Sequence, residues 1–249
     1  MQDHIDLRLM RDPGSIILEP VVEGRAAYFF AKRVLDILLA GSLLLLALPV
    51  MALIGAIIYI YSPGPIFFKQ ERVGAKRVRH GNAYFWKMEN FTLYKFRTMK
   101  VDGDPAQHKA YVQALILNDR QKIKEIQGQK TEVRKLLNDP RIIPPGKLLR
   151  KSSLDELPQL WNVLCGDMSM VGPRPALPYE VEVYKPWHML RLEAQPGISG
   201  LQQVTARCSA DFDEQVTFDL EYINNQSIWL DLKIALKTPL MILSTKGAG

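Results

Sequence analysis

ILLAGSLLLLALPVMALIGAIIYIY, residues 37–61, runs for 25 positions without a charge. A helix needs ~20 apolar residues to cross a bilayer core, so this run is long enough to enter a membrane. A soluble core helix apolar on every side over such a length would be unusual. The run begins too far into the chain and is too long for a secretory signal, and no small-residue cleavage site follows it. Pro49 lies at its middle, where it removes a backbone donor and crowds the Leu45 carbonyl. Lys32 and Arg33 precede the run, and Lys69, Arg72, Lys76 and Arg77 follow it. A single span would carry one of these clusters outward, against the positive-inside bias. A helix that enters, breaks at Pro49 and returns keeps both clusters in the cytoplasm. A span kinked at Pro49 is the alternative that the residues leave open.

Outward from this run, Lys32, Arg33 and Asp36 share one helical face. They read either as a snorkelling anchor with a partner carboxylate or as a cationic clamp for phosphate at the membrane surface. The clamp, with Asp36 orienting Arg33, is the favoured reading. Residues 1–30 read as a loosely attached leader, with a short strand candidate at Ile16-Ile17-Leu18. Ser62-Pro63-Gly64-Pro65 stops the apolar helix of the 31–65 membrane segment. Ile66-Phe67-Phe68 then reads as a short strand or an interfacial foot. Thr92–Met99 alternates as a strand, with Lys95 and Arg97 on one face and Tyr94 and Phe96 on the other. Residues 105–138 are charge-rich and helix-prone, a solvated insertion whose residues 105–135 are expected to be dispensable for chemistry. The segment after Pro178, with Trp187, Leu190 and Leu192 beside Lys185 and Arg191, reads as an interfacial amphipathic helix. Trp229–Thr238 is a further helix, and residues 239–249 form a tail.

Charge narrows the functional classes. The 249 residues carry 32 Lys+Arg against 26 Asp+Glu, a net charge of +6. Lys69, Arg72, Lys76, Arg77, Arg79, Lys87, Lys95, Arg97 and Lys100 fall in one block, opposed by Glu71 and Glu89. Such a block suits phosphates, whether in a nucleic acid, a nucleotide or an anionic membrane surface. Cys165 and Cys208 make no disulfide framework, and the four histidines are scattered, which argues against a His/Cys metal site. Walker A and G-x-G-x-x-G patterns are absent.

The chemistry concentrates in LRKSSLDELPQLWNVLCGDMSMVGPRPALP, residues 149–178. Arg150, the adjacent carboxylates Asp155 and Glu156, and Arg174 between two prolines form an inventory suited to phosphoryl transfer. A carboxylate attacks phosphorus or holds Mg²⁺, and cations neutralise phosphate oxygens. The competing reading is a capping box, Ser153-x-x-Glu156, opening an ordinary helix. Pro158 disfavours that, because its ring would oppose the Leu154 carbonyl. A helix opening at Pro158 leaves Asp155 and Glu156 on an irregular turn before it.

These motifs resemble the bacterial sugar transferases, the monotopic polyprenyl-phosphate phosphoglycosyl transferases. The resemblance runs from Ala31 to Thr238 through Lys32-Arg33-x-x-Asp36, SPGPIFF, QERVG, YKFRTM, LRKSSLDELPQLWNVL, MVGPRP, PGISGLQQV and DLEYINN…WLDLKI. It implies an α+β, mostly helical fold: a re-entrant membrane helix, interfacial helices and a small catalytic domain, here residues 66–238. The site would lie at the cytoplasmic face of the bacterial inner membrane and depend on Mg²⁺. The activity implied is transfer of a sugar phosphate from a UDP-sugar to undecaprenyl phosphate, the first membrane step of capsule, exopolysaccharide or O-antigen synthesis. Asp155 is then the nucleophile, and Glu156 beside it serves the metal. Arg150, Arg174, Lys95 and Arg97 are the candidate phosphate ligands. UDP-sugar, undecaprenyl phosphate and membrane lipids are the implied partners; nucleic acid is not one, and homo-oligomerisation is left open. Two positions depart from the family pattern. Leu48 precedes Pro49 where a Ser is common, and the stretch from Gly74 to Phe91 is longer than usual. The rival reading is a non-enzymatic, membrane-anchored protein gripping anionic lipids through residues 69–100, which leaves the dyad idle.

Overall fold

The apolar run and its flanks form one helix, α1 (Ala26–Tyr61), of 36 residues. The structure, a computed structural model, describes residues 17–20, 25–80, 83–100, 106–127, 141–205 and 211–243. The helix begins earlier than expected and is not divided at Pro49, which lies inside it. One missing bond among many is tolerated where no water competes for the rest. Only 17% of its most apolar window is buried, so it is not the core helix of a soluble protein but a membrane-associating one. Its buried positions are Lys32, Asp36, Ala40, Ile54, Gly55 and Ile58, with Leu44, Ala47 and Met51 half-buried between them. Spacings of three and four put these on one face. Pro49 is exposed, on the opposite face.

After α1 the chain forms a long hairpin. Strands β2 (Phe67–His80) and β3 (Ala83–Phe96) pair antiparallel without a slip, from Phe67 opposite Phe96 to His80 opposite Ala83. Strand β1 (Ile17–Pro20) pairs with the other edge of β3, giving the order β1-β3-β2. Part of the expected leader is therefore built into the sheet. The unusual length between Gly74 and Phe91 is the outer half of this hairpin. The Arg77 guanidinium covers the Phe29 and Tyr84 rings at 4.3 and 4.5 Å, and Phe29 meets Trp86 edge-on, which seats the hairpin on the start of α1.

Short helices complete the domain: α2 (Ala106–Ile116), α3 (Arg120–Gln127), α4 (Pro144–Ser152), α5 (Gln159–Cys165), α6 (Pro178–Val181), α7 (Leu201–Thr205), α8 (Phe212–Asn224) and α9 (Ile228–Leu243). Strands β4 (Ser169–Val171) and β5 (Gly197–Ser199) form a parallel pair among them. Two core clusters meet around half-buried Leu157. One joins Ala40 to Leu93, Leu160, Val163 and Met168; the other joins Ile54 and Ile58 to Phe96, Ile143 and Leu149. Both halves of α1 thus pack on the same domain. Helix α9 turns Trp229, Leu232, Leu236 and Leu240 outward at the spacing of one apolar stripe.

Two expectations about this domain are corrected. The segment after Pro178 is no interfacial helix: Pro186 limits it to a 3-10 turn, Pro186–Leu192, whose His188, Met189, Arg191 and Leu192 are buried. Arg191 points inward because buried Asp219 pairs with it at 2.6 Å. Nor is the whole insertion solvated. Tyr111, Ala114 and Ile116 of α2 are buried, and Gln113 donates to the Tyr179 carbonyl at 3.3 Å, docking α2 on α6.

Candidate active site

The dyad sits where the sequence puts it, on an irregular turn. Helix α4 ends at Ser153, which adopts a left-handed conformation (φ 57°), donates its backbone N–H to the Leu149 carbonyl, and makes no side-chain capping hydrogen bond to the turn that follows. A single 3-10 turn, Leu154–Glu156, follows, and Pro158 caps α5. Gly146 lets α4 lie against the end of the hairpin, because a Cβ there would collide with the Thr98 carbonyl. Asn162, fully buried on α5, accepts from the Tyr94 amide at 3.1 Å and donates to the Thr92 carbonyl at 2.7 Å. It therefore fixes β3 to the helix that follows the dyad.

That fixing aligns Lys95 with the turn. Its ammonium donates to Glu156 at 2.8 Å. Burial alone would raise the Glu156 carboxyl; Lys95, then Arg174 and Arg72, outweigh it and hold the group below its ordinary value. Asp155 is 9% exposed. Burial and then the charge of Glu156 push it up to about 6, against the pull of Lys95 and Arg150. Two adjacent carboxylates with opposite shifts are a common mark of divided acid–base or nucleophilic roles.

Arg174 reaches the site on a braced loop. Val73 donates its amide to the Ala176 carbonyl, and Arg72 donates to the Pro175 carbonyl, both at 2.9 Å. Gly172 and Gly197 cross so closely that a Cβ on either would collide with the other's backbone neighbourhood. Burial and the neighbouring Arg174 pull Arg72 down to about 10, and its Nε is buried without a partner. Arg150 and Arg174 are exposed and donate to no acceptor among the described residues.

A cavity of about 1120 Å³ opens beside the turn. Ser153, Glu156 and Leu157 line it, together with Arg150 and Arg174. Asp155, next to Glu156 on the turn, is not itself among the residues that line it. A smaller recess between Arg72, Lys95, Glu156, Gln159, Arg174 and Gln203 adjoins it. Arg72, Gln159 and Gln203 are site residues that sequence reasoning missed. Only their place within QERVG, DELPQL and PGISGLQQV could have marked them.

The structure brings Asp155, Glu156, Lys95, Arg150 and Arg174 together, and it places the other candidates elsewhere. Lys32 donates to Asp231 at 3.0 Å and to the Val171 carbonyl at 2.9 Å. Arg33 donates to the Val163 and Leu164 carbonyls at the end of α5. Asp36 accepts from Ser169 at 3.0 Å and from the Met170 amide at 2.9 Å. All three fasten α1 to the domain, so the geometry replaces the expected phosphate clamp with an internal joint. Arg97 likewise donates to the Ser62 and Pro63 carbonyls at the end of α1, not into the cavity.

The profile of the bacterial sugar transferase family matches residues 27–245. This chain belongs to that family. The chain is 39% identical over 224 residues to the undecaprenyl-phosphate galactose phosphotransferase of Salmonella typhimurium, covering 88% of this chain and 42% of that one. It is 36% identical over 219 residues to the exopolysaccharide production protein ExoY of Rhizobium meliloti, covering 88% of each. With the UDP-glucose:undecaprenyl-phosphate glucose-1-phosphate transferase of Escherichia coli it shares 36% over 215 residues, 83% of this chain and 39% of the other. The chain thus spans about two-fifths of the length of two of these relatives and most of the third. The family match contains the membrane helix, the dyad turn and the Arg174 loop in one unit.

Proposed function

We propose that this chain transfers a sugar 1-phosphate from a UDP-sugar to undecaprenyl phosphate, through a covalent intermediate on Asp155. The observation that carries the reading is the turn itself: a buried carboxyl raised toward neutrality, an ionised neighbour held by Lys95, and on one cavity two arginines without a partner among the described residues. Relatives whose names specify transfer to undecaprenyl phosphate support it. In the first half-reaction an Asp155 oxygen attacks the sugar-bearing phosphorus, the bond to the bridging oxygen breaks, and UMP leaves. In the second, an oxygen of the lipid phosphate attacks the same phosphorus and displaces Asp155. Both steps need the carboxylate to reach the wall formed by Ser153, Glu156 and Leu157. Arg174 and Arg150 offset phosphate charge in each half-reaction, and Arg72 holds the loop that presents Arg174.

Mg²⁺ fits this site. Among the described residues no group of three or more His, Cys, Asp or Glu converges, but Mg²⁺ uses one or two carboxylates with water and substrate phosphates. Glu156, ionised on the cavity wall, and Asp155 beside it would hold it. Bound there, the ion would neutralise pyrophosphate charge.

The reading also places the protein at the cytoplasmic face of the inner membrane, with α1 re-entrant. What supports this is the single buried stripe along α1, which keeps both ends on the domain while the other faces of its middle, with Leu45, Leu46, Leu48 and Leu53, stay exposed. A Pro ring opens a helix on its own face. Bending at Pro49 therefore turns both ends toward the opposite face, where the domain lies. The outward stripe of α9 suits the same interface.

A UMP-release assay over a panel of UDP-sugars, with and without undecaprenyl phosphate, tests the function. Lipid-dependent release of UMP supports it. Binding to anionic vesicles with no turnover of any UDP-sugar would favour the non-enzymatic lipid-binding reading.

A further inference from the structure

The insertion, expected to be inert, forms a wall of the cavity. Val112 and Leu115 of α2 and Ile123 of α3 line it, as do the exposed cations Arg120 and Lys124. Arg120 and Lys124 stand four residues apart and so share one face of α3. Neither side chain has a protein partner among the described residues. Leu43, Leu46 and Ala47 from the apolar stretch of α1, and Met241 and Ile242 from the end of α9, also line the cavity. The same cavity continues to Glu156, Arg150 and Arg174. It is apolar where it touches the membrane helix and cationic near the dyad.

We propose that α2 and α3 form the outer wall of an acceptor channel. Val112, Leu115 and Ile123 contact the prenyl units nearest the phosphate, and Arg120 and Lys124 draw the phosphate inward. This deepens the proposed function and rests on it. Of the two substrates, only the lipid has a part that apolar walls would hold, and it arrives from the membrane that α1 enters. A nucleotide sugar offers such walls only the faces of its uracil ring and gains little from Leu43, Leu46 or Ile123 compared with a prenyl chain. Docking of α2 on α6 links this wall to the segment just after the Arg174 loop. Lys109 and Gln113 of α2 reach Glu182 and the Tyr179 carbonyl there.

The test compares wild type with R120A/K124A and with Leu115→Ser, purified in nanodiscs. The exposed pair is removable without touching the core, which keeps the result interpretable if Leu115→Ser folds poorly. For R120A/K124A, KM for undecaprenyl phosphate should rise about tenfold, the size of a lost charge interaction. KM for the UDP-sugar and lipid-free UMP release should stay at wild-type values. A higher UDP-sugar KM with unchanged lipid KM would overturn the proposal, as would no change in either. Binding to anionic phospholipid vesicles lacking the acceptor should also be unchanged; a parallel loss there would mean the pair reads general surface charge. If wild type turns over no UDP-sugar, the proposed activity has failed. Undecaprenyl phosphate binding by wild type and R120A/K124A then decides the channel by itself, with equal affinity overturning it.

Discussion

Lys32, near the start of the membrane helix, and Asp231, near the start of the last helix, meet in a buried ion pair at 3.0 Å across 199 residues of sequence. Tyr28 and Tyr222 complete the joint, donating to the two Asp231 oxygens at 2.9 and 2.8 Å. Removing one partner strands a buried charge, at about 3–5 kcal/mol. Lys32→Met should therefore lower the thermal midpoint in detergent, and Lys32→Met with Asp231→Asn should recover part of it. An unchanged midpoint with lost UMP release would return Lys32 to the phosphate role first expected for it.

Lys95 tests the electrostatics of the dyad. It leads the groups that hold Glu156 ionised against burial. In Lys95→Met burial prevails, so the acid limb of the pH–rate profile should move upward and kcat should fall. Lys95→Arg, which keeps the charge, should lie between this variant and wild type. A Lys95→Met profile that superimposes on wild type would remove Glu156 from the pH-sensitive chemistry.

Asp155 carries a sign that can be checked twice. Its folded pKa, about 6, exceeds the ordinary 3.8. The nucleophile must be ionised, so lipid-free UMP release should rise with pH through about 6 and fade below it. For stability, a raised pKa means that the folded state holds the proton more tightly. That advantage is full below pH ~4 and is lost as pH rises through about 6. With Mg²⁺ chelated, wild type should lose stability over that window, while Asp155→Asn should not. At pH 7.5 the Asn variant should be the more stable, by on the order of 2–3 kcal/mol. Parallel pH curves for the two proteins would contradict the burial argument.

The proposed re-entrant topology of α1 is tested by labelling. Gln2→Cys and Gly81→Cys, each tested in intact cells, should both resist an impermeant thiol reagent. Labelling of only one would establish a spanning helix. Replacing Pro49 by Leu should weaken the same-side preference. Leu48 makes the effect larger here, because it supplies no hydroxyl to satisfy a freed carbonyl.

What could be read from the sequence was local. The dyad turn followed from the clash of Pro158 with a helix opened at Ser153, and the membrane helix from 25 uncharged residues. The strand character of Thr92–Phe96 came from its alternation, although β3 ends at Phe96 and Arg97–Met99 lie beyond it. Partnerships across long separations were not readable. Lys32, Arg33, Asp36 and Arg97 look like phosphate ligands because their acceptors, Asp231, the end of α5, Ser169 and the end of α1, are brought to them only by folding. The buried face of α2 is short, and its partner α6 lies beyond the dyad, so charge made it look solvated. Arg72 was hidden in a basic block that sends only some members to the dyad: Lys95 reaches it, whereas Lys76, Arg77 and Arg97 find partners elsewhere.

A covalent bond between Asp155 and the phosphosugar is read directly by intact-protein mass measurement. Two highly anionic substrates share one small cationic site more readily in turn than together. Enzyme incubated with its UDP-sugar and Mg²⁺, without lipid, should release up to one equivalent of UMP and gain the mass of one phosphosugar, mapped to the peptide holding Asp155. Asp155→Asn should give neither signal, and added undecaprenyl phosphate should discharge the wild-type adduct. Wild-type enzyme that shows no adduct and no burst, yet turns over once lipid is present, would contradict the account and make Asp155 a ligand in a direct transfer.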